Sequence, residues 1–154
     1  MDVHQEWLAP CGLYCGVCSI MIADRNNDLK FKEKLSPAYG VPVEQLTCGG
    51  CLSENPFVYC RVCPIKTCTR EKGYEGCHQC ADFPCAHVAA FPVEVGKKEI
   101  MRAVPLRRKL ATEQWVEAEE RRYQCASCGE MLFRGARRCR NCGCDFQPVE
   151  MVPK

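Results

Sequence analysis

The stretch CHQCADFPC, Cys77 to Cys85, repeats the C-x2-C-x4-C spacing of CRVCPIKTC, Cys60 to Cys68. Cysteines this regular do one of two things: they form a disulfide framework in an oxidising compartment, or they hold metal as thiolates in a reducing one. The chain has 16 cysteines in 154 residues. Five C-x2-C pairs (Cys15/Cys18, Cys48/Cys51, Cys60/Cys63, Cys77/Cys80 and Cys125/Cys128) are joined by a sixth, Cys139/Cys142. That is ligand spacing.

Residues 1–15, MDVHQEWLAPCGLYC, carry acidic residues and Trp7 where a secretion signal needs a basic patch and an apolar run. No later stretch approaches the ~18 apolar residues of a membrane span. These features predict a cytoplasmic protein with no membrane partner and reduced, metal-binding thiols. The formal charge of +2 counts every cysteine as neutral. Each zinc held by four thiolates carries −2, so four such centres would bring the chain to about −6. A global basic field for nucleic acid is therefore not expected.

The clearest unit is C-terminal: Cys125-x2-Cys128-x10-Cys139-x2-Cys142, with Gly129 and Gly143 directly after the two knuckles. Two such knuckles wrap four sulfurs around one zinc, with a short hairpin between them. The segment is similar to the zinc-ribbon family, and a small β zinc ribbon is expected over 124–148. Cys144 reads as a spare thiol. Arg134, Arg137, Arg138 and Arg140 in this hairpin make nucleic acid a possible partner. Only Phe133 is interleaved among them, so a solvated basic hairpin competes with that reading.

Upstream, three triplets stand out: Cys11/Cys15/Cys18, Cys60/Cys63/Cys68 and Cys77/Cys80/Cys85. Each is one ligand short of a tetrahedron. Cys48 and Cys51 would supply two of the missing ligands, and His87 or His78 the third, for three to four zincs per chain in all. Ligand pairs also interleave, so another partition, or two zincs with spare thiols, stays open. An iron–sulfur cluster is the alternative cofactor for this region. Cys11-x3-Cys15-x2-Cys18 also matches the cluster motif of radical enzymes that use S-adenosylmethionine. Against it, Val17 stands where that family has an aromatic, and the chain has no room for that family's barrel.

These ligands need elements to position them. The expected fold is mainly α, a small metal-stapled domain with irregular zinc knuckles over 1–92, a helical connector over 93–123 and the ribbon. IMIADRNNDLKFKEKL reads as one half-buried helix broken by SPAYGVP at 36–42. Pro64 opens a helix that Gly73 stops, and the repeat at Cys77 is expected to do likewise. From Gly96 to Tyr123 the pattern is a helical hairpin or a bent helix interrupted at Pro105, with Thr112 as candidate N-cap and Trp115, Val116 and Ala118 on its apolar side.

CGLYCGVCSIMIA, TCGGCLS, CRVCPIKTC, KGYEGCHQCADFPC and LRRKLATEQWVEAEERRYQCASCG together resemble a widespread prokaryotic family of small cysteine-rich proteins catalogued as a domain of unknown function. The resemblance covers most of residues 8–92. It implies metal binding, usually presumed to be zinc, by Cys11, Cys15, Cys18, Cys48, Cys51, Cys60, Cys63, Cys68, Cys77, Cys80 and Cys85, without pairing them. It implies no activity. No Ser/His/Asp constellation, glycine-rich phosphate loop or H-E-x-x-H motif is present, so the sequence leans away from an enzyme and towards an interaction or adaptor module with a protein partner.

Overall fold

The computed structural model describes residues 2–149. They form six α-helices joined by single 3₁₀ turns and irregular knuckles, with no strand among them. Helix α1 (Ser19–Arg25) and helix α2 (Leu29–Tyr39) replace the single helix expected there. Asn27 takes a left-handed turn at φ 50°, and Asp28 then caps α2 by accepting from Phe31 N at 3.0 Å. Pro37 does not break α2, which runs on to Tyr39. Its exposed position leaves the missing N–H bond on the solvent side.

Helix α3 (Pro64–Lys72) starts at Pro64 and stops at Gly73, whose φ of +72° ends it as the sequence predicts. The second repeat does not follow suit. After the 3₁₀ turn Cys77–Gln79 the chain makes a further turn at residues 81–82 and stays out of helix at Phe83, because Pro84 disfavours helix in the residue before it. The short helix α4 (Ala86–Ala89) comes only after Cys85.

Helix α5 (Glu94–Lys109) passes through the exposed Pro105 and breaks at Leu110 instead. Helix α6 (Thr112–Arg122) has Ala111, not Thr112, at its N-cap; the Thr112 hydroxyl accepts from Arg107 Nη1 at 3.0 Å. Trp115, Val116 and Ala118 are buried, as their spacing predicts.

One apolar cluster joins Tyr14 and Val17 to Trp115 and Val116 of α6 and to Leu132 and Phe146. A second packs Ile20 and Ile22 of α1 against Phe31, Leu46 and Phe57. The third sets Ile65 of α3 and Val88 of α4 against Ile100 and Val104 of α5. Helices α5 and α6 are also locked by charge. Arg102 Nη2 lies 2.8 Å from both Glu99 Oε2 and Glu119 Oε2, Arg122 Nη2 is 3.1 Å from Glu99 Oε1, and Tyr123 donates to Glu99 at 2.8 Å. Burial pushes the Glu99 carboxyl up, but hydrogen bonds from Arg122, Tyr123 and Arg102 outweigh it and hold it below its usual range.

Glu119 is 3% exposed, so Glu119→Ala leaves Arg102 short of a buried partner. The substitution is expected to cost about 3 kcal/mol. Glu113→Ala, exposed on the same helix, should cost no more than about 0.5 kcal/mol. Urea titration of the two variants checks the difference.

No helix of the described residues is long and apolar enough to cross a membrane.

Candidate metal centres

The C-terminal centre is built by two knuckles that glycines close. Gly129 and Gly143 sit at φ +77° and +76°, and their N–H groups reach back to the carbonyls of Cys125 and Cys139 at 2.8 and 3.0 Å. This turns each chain end around its own pair of sulfurs. The sulfurs of Cys125, Cys128, Cys139 and Cys142 all lie within 4.8 Å of one another. Cys125 is 3.6 Å from Cys142, and Cys128 is 3.6 Å from Cys139. A hydrogen bond from Asn141 pulls the Cys128 thiol down to about 6, so it is ready to ligate as thiolate. This cluster can hold a metal ion. Cys144 lies outside the four-sulfur group, and its carbonyl accepts from Cys139 N at 2.8 Å.

The expected β ribbon is not formed around this centre. Two isolated antiparallel bridges, Gln124–Met131 and Arg138–Asp145, are all the pairing there is within residues 124–149. The loop between the knuckles is spent on docking. Leu132 is fully buried in the first cluster, the Phe133 ring packs tilted against Phe31 with centroids 4.8 Å apart, and Arg134 N donates to Val17 O at 2.8 Å. A loop that bonds to the N-terminal part of the chain cannot also pair with itself as a ladder.

Nine of the eleven upstream cysteines fall into two neighbourhoods that cut across the triplets. In the first, Cys51 N donates to Cys15 Sγ at 3.4 Å and Gly50 N to Cys48 Sγ at 3.3 Å. Gly50 is obligatory there: a Cβ would stand 2.6 Å from Glu6 O, at a φ of +122°. Burial pushes the Cys15 thiol well up, and the charges of Cys18, Cys51 and Cys48 act on it from close by. Cys51 and Cys60 are close enough to act on each other: the Cys60 thiol and the Lys66 charge hold Cys51 down at about 7, and Cys51 raises Cys60. Cys15, Cys18, Cys48, Cys51 and Cys60 therefore form one group.

Cys68 has left its own triplet. With Cys77, Cys80 and Cys85 it lines a cavity of about 20 Å³, little more than one water-sized atom. Lys72 Nζ lies 3.6 Å from Cys80 Sγ and 3.2 Å from Asp82. His87 lines the same cavity but is exposed, whereas His78 lines a different cavity that contains no cysteine. Cys11 and Cys63 lie between the two groups. Burial pushes the Cys11 thiol up to about 12, and its thiol neighbours are Cys51 and Cys63.

Two cations border the first group, and sequence reasoning passed over both in that role. Lys66 is 5% exposed, its Nζ donates to Cys51 O at 2.6 Å, and its charge lowers the Cys51 thiol. Arg134, half-buried, donates from Nη2 to Tyr14 O at 2.8 Å. Burial opposes its charge, but Cys18, Tyr123, Cys15 and Cys11 hold its guanidinium above the usual range. Among the described residues no carboxylate lies within 4.0 Å of either cation. A buried cation without a carboxylate needs another anion, and the thiolates are the groups at hand. Lys66 carries one faint sequence signal, a lysine directly after the buried Ile65 on an otherwise ordinary helix.

No curated protein and no solved structure matches this chain. Residues 7–90, more than half of the chain, match the family described as protein of unknown function (DUF3795), and the chain belongs to that family.

Proposed function

We propose that this protein is a cytoplasmic zinc-binding interaction module in which three thiolate centres staple a thin core. The observation that carries the reading is the sulfur spacing of the C-terminal centre. Zinc–sulfur bonds of about 2.3 Å in a tetrahedron place sulfurs about 3.8 Å apart, and the two close pairs here stand at 3.6 Å. The Cys68/Cys77/Cys80/Cys85 group supplies a second four-thiolate set around an atom-sized cavity. A third set comes from Cys15, Cys18, Cys48, Cys51 and Cys60. There, four thiolates and one zinc leave −2, which Lys66 and Arg134 offset.

Four-thiolate zinc leaves no open position for water or substrate, which favours binding over catalysis. A protein partner is supported by an apolar cavity of about 520 Å³ whose rim includes Tyr59 and Val62, 51% and 77% exposed. Nucleic acid is less well served by the knuckle arginines. Arg134 is turned into the protein, and Arg140 is held by Asp28 at 3.2 Å.

A second reading keeps zinc at the C-terminal centre and places an iron–sulfur cluster in the N-terminal part. It is favoured by the wider spread of those sulfurs: among the described residues, no other set of three or more potential ligands lies within 4.8 Å throughout. Cubane clusters hold their thiolates further apart than a single ion does. Elemental analysis and a visible spectrum of protein purified without oxygen or chelator separate the readings. About three zincs per chain in a colourless sample is the expected result. A brown sample with iron, sulfide and about one zinc overturns the first reading in favour of the second.

A further inference from the structure

Away from the thiol groups, a cavity of about 380 Å³ opens between the first turn of α6, the end of α5 and the segment around Tyr74. Its walls present more donors than acceptors. Arg107 lies over the Trp115 ring at 5.0 Å and spends one N–H on the Thr112 hydroxyl. Arg70, exposed at the end of α3, has no carboxylate within 4.0 Å among the described residues. Trp115 is 1% exposed, and its indole Nε1 is buried without any acceptor. An orphaned buried N–H costs about 1–3 kcal/mol in a protein, a cost carried in the wall of this cavity.

The first turn of α6 adds to this. Gln114 Oε1 accepts from Ala111 N at 3.2 Å, but alanine at the N-cap offers no oxygen in return. The leading amides of this 11-residue helix therefore lack a side-chain cap, and Thr112 at the positive end of the helix dipole lines the cavity. Two arginines against one carboxylate, Glu75, leave a single net positive charge on the lining. Leu8 and Tyr74 provide apolar surface beside it.

We propose that this cavity binds a small organic carboxylate, its oxygens received by Arg70, Arg107 and the start of α6 and its body packed on Leu8 and Tyr74. One carboxylate neutralises the excess charge, which a phosphate dianion would overshoot, and bidentate guanidinium–carboxylate pairing suits the planar fork of Arg107. The volume falls in the range of small-molecule sites and exceeds what the carboxylate alone would occupy.

The test uses full-length, metal-loaded protein carrying Trp7→Phe, so that Trp115 is the sole tryptophan, titrated at fixed ionic strength with benzoate, benzamide and phenyl phosphate. Benzoate is expected to change Trp115 emission saturably in the millimolar range, and benzamide to leave it unchanged. Arg70→Gln, at an exposed side chain with no carboxylate within 4.0 Å among the described residues, should weaken benzoate about fivefold, and Arg107→Gln more than about tenfold. Equal responses to benzoate and benzamide, no saturation by benzoate, or unchanged affinity in Arg70→Gln would overturn the proposal. Saturation by phenyl phosphate below the benzoate range would overturn it too, making this a phosphate site. Metal content is not altered in any of these arms, so failure here leaves the thiolate centres untouched.

Discussion

Excess chelator is expected to abolish the cooperative thermal transition of this protein and most of its helical circular dichroism, and zinc is expected to restore both. The reason lies in how little else holds residues 7–90. Helix α1 has 7 residues, α3 has 9 and α4 has 4, all shorter than the ~12–15 at which an isolated helix becomes even marginal. The connections are single 3₁₀ turns, and several side chains in the apolar clusters are themselves cysteines, Cys11, Cys48 and Cys77 among them. Structural zinc is worth on the order of 10 kcal/mol of apparent binding energy per site. A domain of this size has only about 5–15 kcal/mol of net stability to lose. Removing the metal also strands Lys66 and Arg134 beside thiols that reprotonate, so buried charge adds to the loss. Residual helix after chelation is expected from α5 and α6 alone, since Arg102, Glu99, Glu119 and Arg122 bind that pair without any sulfur. A metal-free sample that melts where the loaded one does would refute the stapled-core reading.

Much of this arrangement was legible from local spacing, and the part that was not has one physical cause. Pro64 and Gly73 set the limits of α3 because a proline at a helix start and a glycine at its end act through the backbone of a few residues. The clustering of the four C-terminal sulfurs was readable for the same reason: both knuckles are local, and only one short loop separates them. Contacts across the chain were not readable. The β ribbon was expected from the hairpin length, but that loop is recruited by Val17 and Phe31, more than a hundred residues upstream. Lys66 looked like any helix-surface lysine until Cys51 was brought to it. Pro105 and Pro37 read as breaks, yet both sit on exposed helix faces where the lost hydrogen bond is cheap.

The repeated C-x2-C-x4-C spacing is the sharpest case, since identical spacing ends in different structures. After Cys63 the chain coils into α3, and the helix carries Cys68 away along its axis at about 1.5 Å per residue. After Cys80 the chain turns at residues 81–82 and Pro84 keeps Phe83 out of helix, so Cys85 lines the same cavity as Cys77. Cys68 thereby lines one cavity with Cys77, Cys80 and Cys85, the cysteines of the second triplet. Cys68→Ser is therefore expected to remove the one metal shared with Cys77, Cys80 and Cys85, as is Cys77→Ser, and the double variant should lose no more metal than either alone. Cys51→Ser combined with Cys77→Ser should lose two, because these thiols belong to different groups. Each loss should come with a fall in melting temperature, since every centre closes a loop that the thin core cannot close unaided. Were the triplets the true units, Cys68 and Cys77 would serve separate metals and their double variant would release two. Metal analysis of four purified proteins decides which cysteines share an ion, and with it whether the helix started by Pro64 is what divides one repeat between two centres.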